Sequence, residues 1–249
     1  SWHLGEGAVD NAAGSAVAME AMRMLSALDY QPKRTIRIGL WSGEEQGLIG
    51  ARQHVAQHYA DRPVSDDPDL KDAPISWRKS NQWPITTTDQ HGKFSAYYNL
   101  DNGSGKIRGI YAQGNSAAAA IFTKWFEPFH DLGAETVTLN NTGGTDHLAF
   151  DAVGLPGFQF IQDPLDYSSR LHHTQLDMMD HIYEKDLKQA SVIMASFLYH
   201  TSEMDSLLPT HAAAPKIPKA FAHSQPGYRP PTSPRVLRKK LPSCGHLTT

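Results

Sequence analysis

Glu44 and Glu45 stand side by side where an apolar run ends, in GLWSGEEQGLIG, residues 39–50. Adjacent like charges favour no structure of their own, so the pair is either idle on a solvated turn or held by something positive. Other carboxylates fall in related places: Asp10 precedes an apolar helical stretch, and Asp101 closes a second apolar run. Imidazole comes from RLHHTQLD, residues 170–177, which holds His172 and His173. Carboxylates gathered in one crevice repel unless a cation shares it, because buried charge must be paired or must coordinate metal. Zinc accepts imidazole and carboxylate together and, in catalytic sites, keeps a position for water. Two such ions about 3.5 to 4 Å apart, bridged by a carboxylate, serve hydrolytic enzymes.

The elements that must position these groups alternate. Residues 12–28 carry apolar side chains at helical spacing, with Asp10 and Asn11 where caps belong. Ile36, Ile38 and Leu40 alternate through Thr35–Trp41 and predict a strand, and 46–59 predicts an amphipathic helix. After a proline-rich surface insertion at 61–93, strands are expected at 96–100, 107–111, 136–139 and 158–161. Helices are expected at 116–132, 146–152 and 184–203. This order is that of an α/β fold. In open sheets of that class the carboxyl ends of the strands line the ligand crevice, which is where Glu44, Glu45 and Asp101 would fall.

Composition sets the outer limits. Residues 209–249 hold eight of the 16 prolines and seven basic residues, with no Asp or Glu. Taking those seven from 23 leaves 16 basic against 26 acidic residues in the body, a net of −10, so no nucleic-acid partner is expected there. The tail reads as disordered, its Arg238, Lys239 and Lys240 as solvated charge. Cys244, the single cysteine, allows no intrachain disulfide, and no apolar run reaches the roughly 20 residues that span a bilayer.

Taken singly, each residue has a plainer explanation. Asp10 can cap a helix, Glu44 and Glu45 can sit in a first helical turn, and Asp101 can open an Asp-Asn-Gly turn. His172 and His173 can be ordinary loop residues. The joint pattern is different. GEGAVDNAAG, PKRTIRIGLWSGEEQGLIGA, NLDNGSGKIRG, GGTDHLAFDAVGLPGFQF and HHTQLDMMD, in this order, resemble the co-catalytic di-zinc exopeptidases. That family includes bacterial leucyl aminopeptidases and plasma glutamate carboxypeptidase. The likeness runs to the carboxypeptidase Q group in particular, over residues 1 to about 208.

The resemblance implies a three-layer α/β/α catalytic domain over 1–208, N-terminally truncated, with a central mixed and mostly parallel sheet. It implies that Asp10 bridges two zinc ions, that Glu45 and His173 complete one, that Asp101 binds the other, and that Glu44 is the general base. A cis peptide after Asp10 belongs to the same pattern. Asp146, His147 and Tyr167 are expected near the substrate or behind the ligands. The family's His-x-Asp motif would precede Ser1, so the second zinc site is expected to be incomplete, and His3 follows too late to replace it. The implied activity is hydrolysis of the peptide bond at an N-terminal residue or in a dipeptide. The alternatives are an inactive binding homologue and a single-zinc acyl transferase of the glutaminyl cyclase kind. A periplasmic or extracellular location follows from the resemblance alone; oligomeric state and side-chain preference stay open.

Overall fold

A computed structural model of the chain describes residues 4–79 and 82–210. The chain enters through Gly7, whose φ of 65° is open to glycine at little cost, into a single turn, Ala8–Ala12. Asp10 and Asn11 leave helical geometry there, and the peptide between them is cis. Helix α1, Ala13–Ala27, follows at once. Its cap is Asn11 rather than Asp10: the Asn11 Oδ1 accepts from Gly14 N at 2.9 Å while its Nδ2 donates to Leu100 O. Gly14 is itself a close-approach position. A Cβ there would collide with the Leu100 carbonyl and the Asn11 amide.

The Thr35–Trp41 strand does not form; those residues join no sheet among the described residues, and Ile38 and Leu40 are 41% and 57% exposed. Alternation records which side chains share a face, whereas a strand exists only where a neighbour completes its ladder. Among the described residues no strand lies against it, and a cleft separates it from the nearest sheet edge. Helix α2, Ile49–His58, starts later than the expected 46, after tight turns through Gly43, Gly47 and Leu48, all at positive φ.

The insertion is mostly irregular, with a two-stranded ribbon of β1, Ala60–Asp61, and β2, Thr86–Thr87, and one helical turn, α3, Ile75–Arg78. Regular structure resumes with β3, Tyr97–Asn99, and β4, Ile107–Tyr111. Helix α4, Ser116–Phe126, tightens to 3₁₀ geometry over Glu127–Leu132, where Pro128 withholds a donor. Then come β5, Thr136–Thr138; α5, His147–Asp151; β6, Gly157–Gln162; and the long α6, Glu184–Glu203.

The main sheet runs β3-β6-β4-β5. Pairs β3–β6 and β4–β5 are parallel and β4–β6 is antiparallel, so the sheet is mixed and mostly parallel, as expected. Side chains alternate across it. Tyr98 joins Phe122, Phe158, Phe160 and Phe197 beneath α1, α4 and α6, while Tyr97 packs on Phe150 toward α2 and α5. Helices therefore cover both faces, giving the three layers. Residues 1–3, with His3, and 211–249, with Cys244 and the Arg238–Lys240 run, lie outside the described residues.

Candidate metal centre

The cleft has a volume of about 560 Å³ and lies between segment 37–46 and the edge strand β3. Asp10, Glu44, Glu45, Asp101 and Asp146 all line it. Residues up to 136 positions apart in sequence are brought together here because each ends or begins an element: Asp10 precedes α1, Asp101 follows β3, and Asp146 precedes α5.

Asp10 is buried, and its Oδ2 has no hydrogen-bond partner among the described residues. His173 approaches it, Nε2 to Oδ2 at 3.6 Å, and meets Glu45 Oε2 at 2.7 Å with the same nitrogen. His173 takes a positive φ of 58° in an exposed loop. His172 comes too: one ligand atom each from Asp10, His172 and His173 lie within 4.8 Å of one another. Burial raises the Asp10 carboxyl above its usual range, with Glu45 adding to the shift and the two imidazoles opposing it.

Asp101 is aimed by a polar relay. Trp41 Nε1 donates to Tyr97 Oη at 2.9 Å, Tyr97 Oη donates to Asn99 Oδ1 at 2.6 Å, Asn99 Nδ2 donates to Thr145 Oγ1 at 2.8 Å, and the Thr145 hydroxyl donates to Asp101 Oδ2. Even so, burial pushes the Asp101 carboxyl up to about 7, with Asp10, Asp146 and Glu45 adding repulsion. Burial and the charges of Asp101, Asp146, Glu45 and Asp10 push Glu44 up to about 8. Asp146 rises to about 6 through burial, opposed by the Arg52 guanidinium, and its Oδ1 is also buried without a partner.

Tyr167 stands over Gly103, and burial together with Asp10, Asp101, Glu45 and Glu44 holds its hydroxyl firmly protonated. His147 is separated from Asp146 by the turn into α5. It is fully buried, its Nε2 lies 3.1 Å from both Gln113 Nε2 and Thr142 O, and burial lowers it to about 4, so it is a neutral core residue that does not line the cleft.

The donor set fits a divalent metal. Orphaned buried oxygens on Asp10 and Asp146, carboxylates raised by mutual repulsion, and imidazole nitrogens within reach are what a hard or borderline cation requires and what a structural polar cluster avoids.

The profile of peptidase family M28 matches residues 1–198. This chain belongs to that family. Mouse (Mus musculus) carboxypeptidase Q is 29% identical over 209 residues, 84% of this M28 chain and 38% of the relative. Aminopeptidase YwaD of Bacillus subtilis is 24% identical over 198 residues, 78% of this chain and 37% of the relative. The crystal structure of a peptidase M28 precursor from Shewanella amazonensis superposes with a TM-score of 0.63 at 24% identity, covering 85% of this chain and 41% of that one. A zinc aminopeptidase from Bacillus subtilis gives a TM-score of 0.58 at 22% identity, covering 83% and 45%. These likenesses support the fold, and the M28 chain spans about two-fifths of the length of the curated relatives it matches.

The site contains residues that sequence reasoning passed over. Asp177, in the HHTQLD stretch, is fully buried and accepts the backbone N–H groups of Val9 and Asp10. An acidic residue between exposed loop neighbours carries no local mark of burial; its offset of four from His173 was the one available signal. Asn99 and Thr145 look like ordinary polar residues until β3 and the loop before α5 meet.

Proposed function

We propose that this M28 chain carries the catalytic machinery of a zinc-dependent exopeptidase that hydrolyses the peptide bond of an N-terminal residue or a dipeptide. The observation that supports it is the meeting of Glu44, Glu45, Asp10, Asp101 and Asp146 in one cleft, with His173 against Glu45 and Asp10 and with buried oxygens of Asp10 and Asp146 that have no hydrogen-bond partner among the described residues. Asp10 would bridge two ions. Glu45 and His173, with His172 beside them, would hold one; Asp101 would hold the other, with Asp146 next to it. Bound zinc supplies a water acidified toward neutrality and a polarised scissile carbonyl.

The rest falls to the chain's own residues. Glu44 takes the proton of the attacking water and returns it to the leaving amine. Without a cation its carboxyl is raised to about 8 by burial and neighbouring carboxylates, and positive charge in the cleft lowers it into the range of a general base at neutral pH. Tyr167, held protonated, donates to the carbonyl oxygen as it gains charge. Asp101 keeps one orientation because Thr145 and Asn99 fix it. A periplasmic or extracellular location belongs to the same reading; among the described residues no helix is long and apolar enough to cross a membrane.

The test pairs zinc content of the dialysed protein with hydrolysis of a panel of aminoacyl and dipeptide substrates. Glu44→Gln should keep its zinc and lose turnover by about 10²- to 10⁴-fold. Zinc without turnover in the parent would support the inactive binding homologue instead, and one zinc with turnover would replace the two-metal form by a single-metal one.

A further inference from the structure

We propose that Asp177 is a positioning residue whose carboxylate locks the loop carrying Asp10 to the loop carrying His172 and His173. It touches neither substrate nor metal in this reading; it acts through Asp10. The inference rests on the metal-centre reading for its consequence, though not for its geometry.

Four hydrogen bonds form the lock. Asp177 Oδ1 accepts from Val9 N at 2.6 Å and Oδ2 from Asp10 N at 3.0 Å. The Asp177 carbonyl accepts from Glu6 N at 2.9 Å, and the Glu6 Oε2 in turn accepts from Met179 N at 2.9 Å. The two loops are thus stitched reciprocally across 168 residues of sequence. Asp177 is fully buried, so its two side-chain bonds form away from water, where such bonds are strongest, whereas the Glu6–Met179 bond is exposed.

The residue type matters. A carboxylate offers two acceptors and no donor, which suits two N–H groups pointing the same way. An asparagine would satisfy one and turn its own NH₂ toward the other. The division of labour around it is equally specific. Asn11 caps α1 and Asp177 takes the N–H of Asp10, so no backbone group of this turn claims the Asp10 Oδ2, which is left facing the cleft. Because Asp177 is only four residues from His173, the clamp that aims the carboxylate also sets its distance from the imidazole.

The experiment compares parent, Asp177→Asn and Glu6→Ala by amide hydrogen exchange, by zinc affinity in competition with a chelator, and by kcat and KM. Glu6 is exposed and contributes only the outer bond, so its variant folds if Asp177→Asn does not. Asp177→Asn should lose protection at Val9 and Asp10 and bind zinc about 10- to 100-fold more weakly, with the loss in kcat rather than KM. Glu6→Ala should move zinc affinity the same way by less. Faster exchange with unchanged zinc affinity would make Asp177 a structural tie only and overturn the proposal, as would unchanged zinc affinity in Glu6→Ala if Asp177→Asn is unfolded. Unchanged exchange would show that there is no clamp. Should the parent bind no zinc, the metal reading fails separately, while exchange at Val9 and Asp10 still reports whether the clamp exists.

Discussion

Tyr98 and Asn99 are neighbours on β3, and they look into two different environments. Tyr98 enters an aromatic core in which polar atoms are matched: its hydroxyl meets Thr201 Oγ1 at 2.7 Å, and Gln189 both donates to and accepts from the backbone of Ile107, at 2.8 and 2.9 Å. Asn99 belongs to the relay that ends on Asp101, beside a cleft in which Asp10 Oδ2 and Asp146 Oδ1 are buried with no hydrogen-bond partner among the described residues. Orphaned polar atoms cost free energy, so a fold tolerates them where something outside the chain completes them. Two such carboxylate oxygens in one cleft distinguish the part of the molecule organised for binding from the aromatic core on the other face.

Substitutions on the two sides should therefore have different readouts. The largest effect on folding is expected in the core: Phe197→Ala, at a fully buried ring packed on Phe126 and Phe160, should cost about 3–5 kcal/mol by denaturant titration yet leave zinc per folded chain unchanged. A change in zinc content at full folding would break the separation. An intermediate effect is expected from pH. Without metal, Glu44, Asp101 and Asp146 have folded-state values of about 8, 7 and 6 against ordinary values of 4.5, 3.8 and 3.8. The folded state then binds more protons than the unfolded one between pH about 4 and 8, so its stability falls as pH rises through that window. Chelator-treated protein should lose several degrees of Tm from pH 5 to 8, and added zinc should flatten the slope. A flat profile in chelator would mean that the carboxylates do not repel as their burial implies. The smallest effect sharpens the core side: Tyr98→Phe removes the Thr201 bond and should cost about 1 kcal/mol with no change in that pH profile.

Legibility in the sequence followed the range of the forces involved. α6 at Glu184–Glu203 and β4 at Ile107–Tyr111 coincide with the expected spans, because local apolar spacing and end signals settle them. Thr35–Trp41 has equally good alternation and is not a strand, since pairing depends on a neighbour that its own residues do not specify. In the candidate site, Asp10 and Asp101 stand at readable element ends, before α1 and after β3, whereas Glu44, Glu45 and His173 reach the site from turns and loops. His147 was expected near the substrate or behind the ligands and is fully buried away from the cleft lining, one residue of helical rotation, about 100°, setting it apart from Asp146. Asp177 was invisible because its importance lies in which backbone amides it meets, and those belong to the opposite end of the chain.

Gly14 gives the spacing between Asp10 and Asp101 an unusual origin. At that point the start of α1 lies close to the Leu100 carbonyl, with only the Asn11 amide bridging the two. Apolar side chains elsewhere in the core can meet a volume-conserving exchange by rotamer adjustment. A single methyl group at position 14 cannot be absorbed in that way, so the tolerance of the site to sequence change is set by a residue that has no chemistry of its own.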